Sequence, residues 1–556
     1  MCPKKGCAYK AQARFVRAYY YWLLLRKYGP IPIMPDEGMD FTQEYEDLAV
    51  ARSSYDEVAN FIASEMQIAA KDLPLERGPL AIARPTRGAA LAARAKVLLY
   101  AASPINNPHP NDTEKFSDMV NFDGKHLIAQ EYDETKWARA AAAALDVMEL
   151  PGNQANGKRY DLYHLGRRTS GSVGYPVTIE PYKDGDFSEH TWPDGWQDID
   201  PFESYRSLFD GEVSASDNYE LIFTRGQNQS SEGVDIMVVH QLPTSATGWN
   251  THGLTQKMCD AYYMNDGSDC PGKDLEIGGA NGTVRETGFV DETNQENYPE
   301  LGEHRIGVSL QYVQREPRFY ASVAYNGSTW FLLNESNDAN RNQQVFYYRG
   351  MGNGYNNNNA FWLRTGIGVK KFVHPYDTHE NRDMGRIRRK AEPAIRYAEI
   401  LLIYAEALNE LDGSHNIESW DGSKTYTIKR DINEMKKGIR PIRCRAGIPD
   451  YTAAEYASKD LFREKIKRER MIELMGEGHR YYDLRRWKDA EKEESQPIYG
   501  CNTLMTEQYK DLFHIPVVVP SLPTNFSRKM YFWPISHSEL KRNRLLTQNP
   551  GWTYND

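Results

Sequence analysis

Residues 463–488 read REKIKRERMIELMGEGHRYYDLRRWK, a charged amphipathic helix pattern that continues into an aromatic, arginine-rich turn. The predicted helix spans about residues 453–476, and Glu469, Glu473 and Glu477 recur at every fourth position along and just past its end. These carboxylates share one helical face, where they could present acids to a metal or a substrate. Basic residues alternate with them, so the pattern predicts ion pairs between neighbours on a structural helix. The basic residues are Arg463, Lys465, Lys467, Arg468 and Arg470.

Four segments outside this stretch have apolar residues three and four positions apart, as one face of a helix requires. The first is closed by Gly29 and Pro30, and the second starts after a predicted N-cap at Thr86. The four stripes are Ala11, Phe15, Ala18, Trp22 and Leu25; Leu91, Ala95, Leu98, Leu99 and Ala102; Trp137, Ala141, Ala144, Leu145 and Met148; and Ala398, Leu401, Leu402, Ala405 and Leu408. Small residues let such helices pack closely, so the spacing predicts a helical bundle or solenoid.

The middle of the chain, residues 151–390, is rich in Gly, Asn, Asp and Trp. It contains short strand-like pieces such as YELIFTR from Tyr219 and FYASVAY from Phe319. Long loops in a compact protein are usually functional or disordered, so we expect ligand contacts here. We interpret residues 1–150 and 391–556 as two parts of one helical scaffold, and the middle as a loop-rich insertion that faces the ligand.

Four segments, together with residues 463–488, carry a family resemblance. They are ARFVRAYYYWLLLRKYGPIP from Ala13, RPTRGAALAARAKVLLYA from Arg84, PAIRYAEILLIYAEALNE from Pro393 and YFWPISHSELKRNRLLTQNPGW from Tyr531. In this order they resemble the SusD/RagB family, surface lipoproteins with which Bacteroidetes capture nutrients, usually glycans, for a TonB-dependent outer-membrane transporter. The resemblance implies a mainly α fold, in which a tetratricopeptide-like helical-repeat scaffold carries a long, irregular, partly β insertion.

The resemblance also bears on the turn that ends residues 463–488. His479, Asp483, Arg485 and Arg486 could be read there as an acid–base cluster. The family keeps such a turn as a buried ion-pair corner, so we assign it no catalytic role.

The amino terminus differs from the family pattern. Family members begin with a signal peptide and a lipobox cysteine, followed by a further segment before the helix that here starts near Ala13. Cys2 has no apolar stretch before it and does not fit a lipobox. We therefore expect the export signal, the lipid anchor and the first helices to be absent from this sequence. The anchor would be the membrane attachment of the full-length form, since no apolar run here is long enough to span a bilayer.

Composition and motifs argue against several functions. A formal net charge of −10 disfavours nucleic acid as a partner, because phosphate backbones are bound by summed Lys and Arg charge. The sequence has no nucleophile elbow, zinc-protease motif, P-loop or close Cys/His ligand set, so we assign no catalytic residue, metal or cofactor. Gly350, Gly352 and Gly354 imitate a dinucleotide fingerprint, but asparagines follow instead of a helix.

Cys259 and Cys270 bracket a turn-rich segment and form either a disulfide or two free thiols.

Aromatic residues in the loop-rich middle are the candidate ligand contacts. Flat aromatic faces bind sugar rings, with Asn, Asp, Arg and Gln around them to hydrogen-bond the hydroxyl groups. Trp249 and Tyr355 have such polar residues beside them, and packing within the loops is the alternative role for each candidate. The full candidate set is Trp249, Asn250, His252, Tyr355, Trp192, Trp196 and Trp362. Trp330, in the family-like NGSTW, is predicted to belong to the core.

The leading hypothesis is a non-catalytic binding lipoprotein at the outer-membrane surface. It would capture an oligosaccharide or polysaccharide and pass it to a SusC-like TonB-dependent transporter. Three alternatives stay open at this point. They are capture of peptides as in some members of the family, an extracellular glycoside hydrolase whose two carboxylates have no local signature, and a helical-repeat scaffold that binds only protein.

Overall fold

The computed structural model describes residues 4–40, 42–167, 178–224, 233–279, 281–356, 360–520, 522 and 524–553. The helices of these residues are α1 Lys4–Tyr28, α2 Tyr55–Asp72, α3 Arg87–Ala102, α4 Thr135–Met148, α5 Pro201–Arg206, α6 Val234–Gln241, α7 Gln256–Ala261, α8 Pro317–Ser322, α9 Tyr397–Asn409, α10 Ile432–Arg445, α11 Ala453–Ala457, α12 Lys459–Glu473, α13 Arg480–Arg486, α14 Ala490–Glu494, α15 Lys510–Phe513 and α16 His537–Arg542. The strands are β1 Leu221–Thr224, β2 Val323–Ala324, β3 Ser328–Trp330, β4 Gln343–Val345, β5 Gly368–Val369, β6 Pro393–Arg396, β7 Ser414–Glu418, β8 Thr425–Lys429, β9 Tyr499–Gly500 and β10 Val517–Val518.

The long helices form the scaffold. Helix α1 packs against α2, α2 against α3, and α3 against α4; α4 then packs against α9, and α9 against α10 and α12. The four apolar stripes predicted from the sequence face these contacts, because all of their residues are buried except Leu145, which is partly exposed. The prediction of a mainly α scaffold with a loop-rich insertion is confirmed.

Local sequence signals explain where two scaffold helices begin and how closely two others approach. The Thr86 hydroxyl accepts a hydrogen bond from the Ala89 backbone N–H at 3.2 Å, so it caps α3 as predicted. On α10, a Cβ atom at Gly438 would lie 2.4 Å from the carbonyl oxygen of Leu401 on α9. A glycine is therefore required where these two helices cross.

The insertion between α4 and α9 consists of short helices, short strands and connecting loops. β1 pairs with β6, β2 with β5, and β3 with β4, all antiparallel. The strand predicted in YELIFTR is confirmed as β1, whereas the strand predicted in FYASVAY is wrong for its first half. Residues 317–322 are helix α8, because Pro317 at the first helical position favours helix there, and only Val323 and Ala324 are extended.

The carboxy-terminal helix predicted over residues 453–476 is divided. α11 ends at Ala457, and α12 starts after Ser458, whose hydroxyl accepts a hydrogen bond from the Leu461 backbone N–H at 3.3 Å. The side chain of Ser458 thus satisfies an N–H group at the start of α12 that has no partner within the helix.

The carboxylates of this segment have other partners than the sequence pattern predicted. Glu469 and Glu473 on α12 and Glu477 just beyond it have side chains no more than 1% exposed. They pair with basic residues distant in sequence, and these are Arg318, Lys371, Arg396, Arg443 and Arg445. The prediction of ion pairs with neighbours along the helix is therefore wrong for these three. Helical period alone does not tell which face of a charged helix is turned inward.

The ion-pair corner expected at the turn after α12 is confirmed. The Asp483 carboxylate accepts hydrogen bonds from Arg470 and Arg486, and Arg486 also contacts Glu406 on α9. All four residues are buried. The corner therefore fixes α13 against α9 and α12 and has no side chain available for chemistry on a ligand.

Candidate functional site

Trp249 stands on a loop that folds back over α6. Its backbone N–H donates to the carbonyl of Val239 at 2.8 Å, and the N–H of Asn250 donates to that of Leu242 at 3.0 Å. Thr247 and Asn250 adopt positive φ angles of 57° and 48°, which turn the chain sharply on both sides of Trp249. The Trp249 side chain is left 39% exposed.

Two aromatic side chains contact the Trp249 ring, and a third stacks on one of them. His240 meets it edge to face with centroids 4.4 Å apart, and Phe361 lies nearly parallel to it at 5.8 Å. His252 stacks on His240 at 4.9 Å with an interplanar angle of 9°. Phe361 is 46% exposed, so it and Trp249 form an open aromatic surface.

A second aromatic pair includes the residue that follows Phe361. Tyr355 and Trp362 lie 4.8 Å apart between centroids, and the Arg364 guanidinium lies 4.4 Å from the Trp362 ring. Trp362 follows Phe361 directly in the chain. We call the combined surface the aromatic platform, and its members are His240, Trp249, His252, Tyr355, Phe361 and Trp362.

Hydrogen bonds hold the two loops of the platform together. The Asn250 side-chain amide donates to the carbonyl of Asn353 at 2.8 Å, and the Thr244 backbone N–H donates to the Asn353 side-chain oxygen at the same distance. Asn250 is buried, so its side chain positions the platform and is not exposed to a ligand. Of the four asparagines after Tyr355, Asn356 is described, and 357–359 lie outside the described residues.

The two histidines supply uncharged polar groups at the platform. Burial lowers the pKa of His240, and burial together with the neighbouring His240 lowers the pKa of His252. Both rings are therefore neutral at pH 7 and each offers one hydrogen-bond donor and one acceptor. His240 uses Nδ1 in a 2.7 Å hydrogen bond with the Thr251 hydroxyl, which leaves Nε2 as its second polar atom.

The platform thus includes four of the sequence-predicted residues, Trp249, His252, Tyr355 and Trp362, and Asn250 supports it. The other two candidates lie elsewhere. Trp196 is fully buried and stacks on Phe187 at 6.0 Å, and Trp192 lies against His164 at 4.9 Å. A buried indole offers no face to a sugar ring, so Trp196 does not belong to an exposed binding surface. Trp330 is buried, as predicted.

Sequence reasoning missed His240 and Phe361. Phe361 adjoins Trp362 in the same loop, so the pair of adjacent aromatic residues was a usable signal. His240 lies near the end of α6, and no local pattern singles it out. It reaches the platform only because the loop after α6 turns back over the helix.

The remaining sequence questions concern thiols, metals and membrane spans. Cys259 and Cys270 are buried free thiols, and burial raises the pKa of both. Within the described ranges, no group of three or more His, Cys, Asp or Glu side chains could hold a metal ion. None of the helices described above is both long and apolar enough to cross a bilayer.

The chain shares its mainly helical, loop-rich fold with structures of SusD-like proteins. The sequence model of the SusD family matches residues 205–552, which is more than half of the chain. The chain therefore belongs to the SusD family. A second model, described as "Starch-binding associating with outer membrane", matches residues 4–99.

Individual relatives agree with this assignment. SusD-like protein P2 of Formosa agariphila is 31% identical over 163 residues, which are 28% of this chain and 25% of that protein. The match thus spans about a quarter of the curated relative's length. The structure of BT4246, a selenomethionine form, is similar with a TM-score of 0.71 and 24% identity, covering 99% of this chain and 86% of that one. A SusD-like carbohydrate binding protein of Bacteroides fragilis NCTC 9343 has a TM-score of 0.60 and 19% identity, with coverage of 98% and 81%. At these identities the two structural likenesses establish the fold alone.

Proposed function

We propose that this protein captures an oligosaccharide or polysaccharide at the outer-membrane cell surface and passes it to a SusC-like TonB-dependent transporter. The aromatic platform is the observation that carries the proposal. Trp249 and Phe361 expose ring surface against which the apolar face of a pyranose can pack. Neutral His252 lies against His240, and the guanidinium of Arg364 lies over Trp362, so both can hydrogen-bond hydroxyl groups of a ligand at the platform.

Binding without turnover is part of the proposal. Glycoside hydrolysis uses two carboxyl groups on either side of the scissile bond, and none of the platform residues is Asp or Glu. The carboxylates of Glu469, Glu473 and Glu477 are buried in ion pairs with arginine and lysine. Family membership and a description naming starch binding and the outer membrane support the glycan and the location. The transporter partner is what the family resemblance implies.

A glycan and peptide array would identify the ligand, and calorimetry on variants would locate its site. Trp249→Ala and Tyr355→Ala each remove a ring surface, which costs about 1.5–3 kcal/mol for a large side chain that the ligand fully covers. We expect each change to weaken glycan binding about tenfold or more. The matched control is Phe122→Ala, because Phe122 is an aromatic residue outside the platform and 72% exposed.

The same experiment has clear opposing outcomes. Glycan affinity that is unchanged in both platform variants would place the site elsewhere on the molecule. An array that retains only peptides would replace glycan by peptide as the cargo. Release of new reducing ends from the bound glycan at about 1 per second, a typical hydrolase rate, would show that the protein is an enzyme.

A further inference from the structure

A cavity of about 240 Å³ lies beside Lys370 and shares no residue with the aromatic platform. Aromatic side chains form much of its wall, with polar groups between them. The wall residues used below are Phe202, Tyr320, Tyr325, Phe331, Thr329 and Asn342. We call this space the Lys370 cavity. Its volume is below the roughly 300–1,000 Å³ of typical ligand pockets, so it suits one compact group.

Two consecutive lysines have opposite surroundings at this point. Lys371 donates hydrogen bonds to the carbonyl of Met475 at 2.7 Å and to the carboxylate of Glu477 at 2.8 Å. The ammonium group of Lys370 lies 5.8 Å from the centroid of the Tyr325 ring. Across the described parts of the chain it makes no hydrogen bond and no ion pair. The cavity therefore has in its wall a lysine ammonium that pairs with no carboxylate among the described residues.

The carboxylates in the cavity wall do not pair with the Lys370 ammonium. The Glu300 carboxylate accepts a hydrogen bond from the Gln314 backbone N–H at 2.8 Å, and burial raises its pKa. Glu303 and His304 also line the cavity and are exposed to solvent. Burial lowers the pKa of Lys370 to about 8, so the lysine is still mostly charged at pH 7. A partly buried cation without a paired anion is less favourable than a fully hydrated one, and an incoming anion would relieve that cost.

We propose that the Lys370 cavity binds the carboxylate of a single acidic sugar residue, a uronic acid. The ammonium of Lys370 pairs with the carboxylate, while the ring packs against Tyr320 and Phe331. Thr329 and Asn342 supply hydrogen-bond partners for the ring hydroxyls. This inference rests on the proposed function, because it names the class of glycan that the protein takes.

Ligand-observed NMR titrations at pH 7 and low salt test the proposal with sodium glucuronate, glucose and the dipeptide Gly-Gly as probes. We expect glucuronate to bind the wild type and to bind Lys370→Met at least tenfold more weakly. Lys370→Met keeps the side-chain length and removes the charge, and its thermal unfolding midpoint should not fall. Lys370→Arg keeps the charge, so it should retain affinity within about threefold of the wild type.

Other results would overturn the inference. The inference fails if the wild type does not bind glucuronate, or if Lys370→Met binds it as tightly as the wild type. It also fails if Lys370→Met and Lys370→Arg lose the same affinity for glucuronate, or if glucose or Gly-Gly binds more tightly than glucuronate. Trp249→Ala separates this inference from the proposed function. It should keep glucuronate binding in the Lys370 cavity while losing neutral glycan at the platform. A wild type that binds glucuronate through Lys370 but no polysaccharide would refute the proposed function alone.

Discussion

At the scale of single residues, His514 shows how burial couples stability to pH. Its ring is 4% exposed, and the carbonyl of Lys510 lies 2.8 Å from Nδ1. Aromatic rings pack around it, including Phe289 at 5.3 Å and Phe513 at 5.1 Å between centroids. Burial lowers the pKa of His514 to about 4. The folded protein therefore holds this ring neutral in a range where an exposed histidine would take up a proton.

The expected consequence is a loss of stability on acidification. Between about pH 6.5, the pKa of an unfolded-chain histidine, and about pH 4, the unfolded state binds the extra proton, so stability rises with pH through this window. On going from pH 7 to pH 5, the free energy of unfolding should fall by about 2 kcal/mol because of His514. In His514→Asn, the fall in the free energy of unfolding between pH 7 and pH 5 should be smaller than in the wild type by about this amount, as measured by urea unfolding. The asparagine side chain keeps a donor for the Lys510 carbonyl.

The control for this prediction is His126→Asn, because His126 is exposed. In His126→Asn, the difference in the free energy of unfolding between pH 7 and pH 5 should be the same as in the wild type. An equal pH dependence in His514→Asn and wild type would mean that His514 is not the group whose protonation is suppressed.

At the scale of elements, α12 is a charged helix with a buried charged face. Glu473 contacts Arg396 at 2.7 Å, Arg318 at 2.9 Å and also Arg445, and all four side chains are at most 3% exposed. These basic residues come from α8, β6 and α10. The arginines hold the pKa of Glu473 far below its usual range against the opposing effect of burial. One carboxylate thus links α12 to three other elements.

Replacing the Glu473 carboxylate should strongly destabilise the folded protein. Glu473→Gln keeps the side-chain shape but leaves buried arginine charge without compensation, which costs about 3–5 kcal/mol in comparable buried pairs. Urea unfolding at pH 7 measures the loss. Glu464→Gln on the same helix is the matched control, because that side chain is 70% exposed and should change stability by less than about 0.5 kcal/mol. Similar effects of the two changes would contradict the buried network.

At the scale of the whole molecule, the carboxy-terminal segment closes onto the first helix. The Asn549 side chain donates to the carbonyls of Tyr28 at 2.8 Å and Trp533 at 2.7 Å, and accepts from the Arg52 guanidinium at 2.6 Å. Arg52 also donates to the carbonyl of Pro30 at 2.8 Å. Asn549 and Arg52 are buried and 497 residues apart, so their contact joins the two ends of the described chain.

Breaking this contact should loosen both ends together. Asn549→Ala leaves the buried Arg52 guanidinium and two partly buried carbonyls short of a partner, and a buried group left unpaired costs about 1–3 kcal/mol. We expect a loss of about 2–3 kcal/mol in unfolding free energy and faster proteolysis near residues 30–50. The control is the exposed Ser538→Ala on α16, which should behave as the wild type. Unchanged proteolysis near residues 30–50 in Asn549→Ala would show that the carboxy terminus does not hold this region.

The sequence by itself determined the helical stripes, the cap at Thr86, the family and the presence of aromatic residues in the insertion. These properties are local, since a helical face or a cap depends on residues three or four positions apart. Tertiary structure alone decided which surfaces those residues occupy. Trp249 and Trp196 are both indoles in polar loops, yet one is 39% exposed and the other is buried. The sequence also did not reveal the partners of Glu473, or that Lys370 has no ion-pair partner among the residues that the structure describes. Both depend on segments brought together from distant parts of the chain.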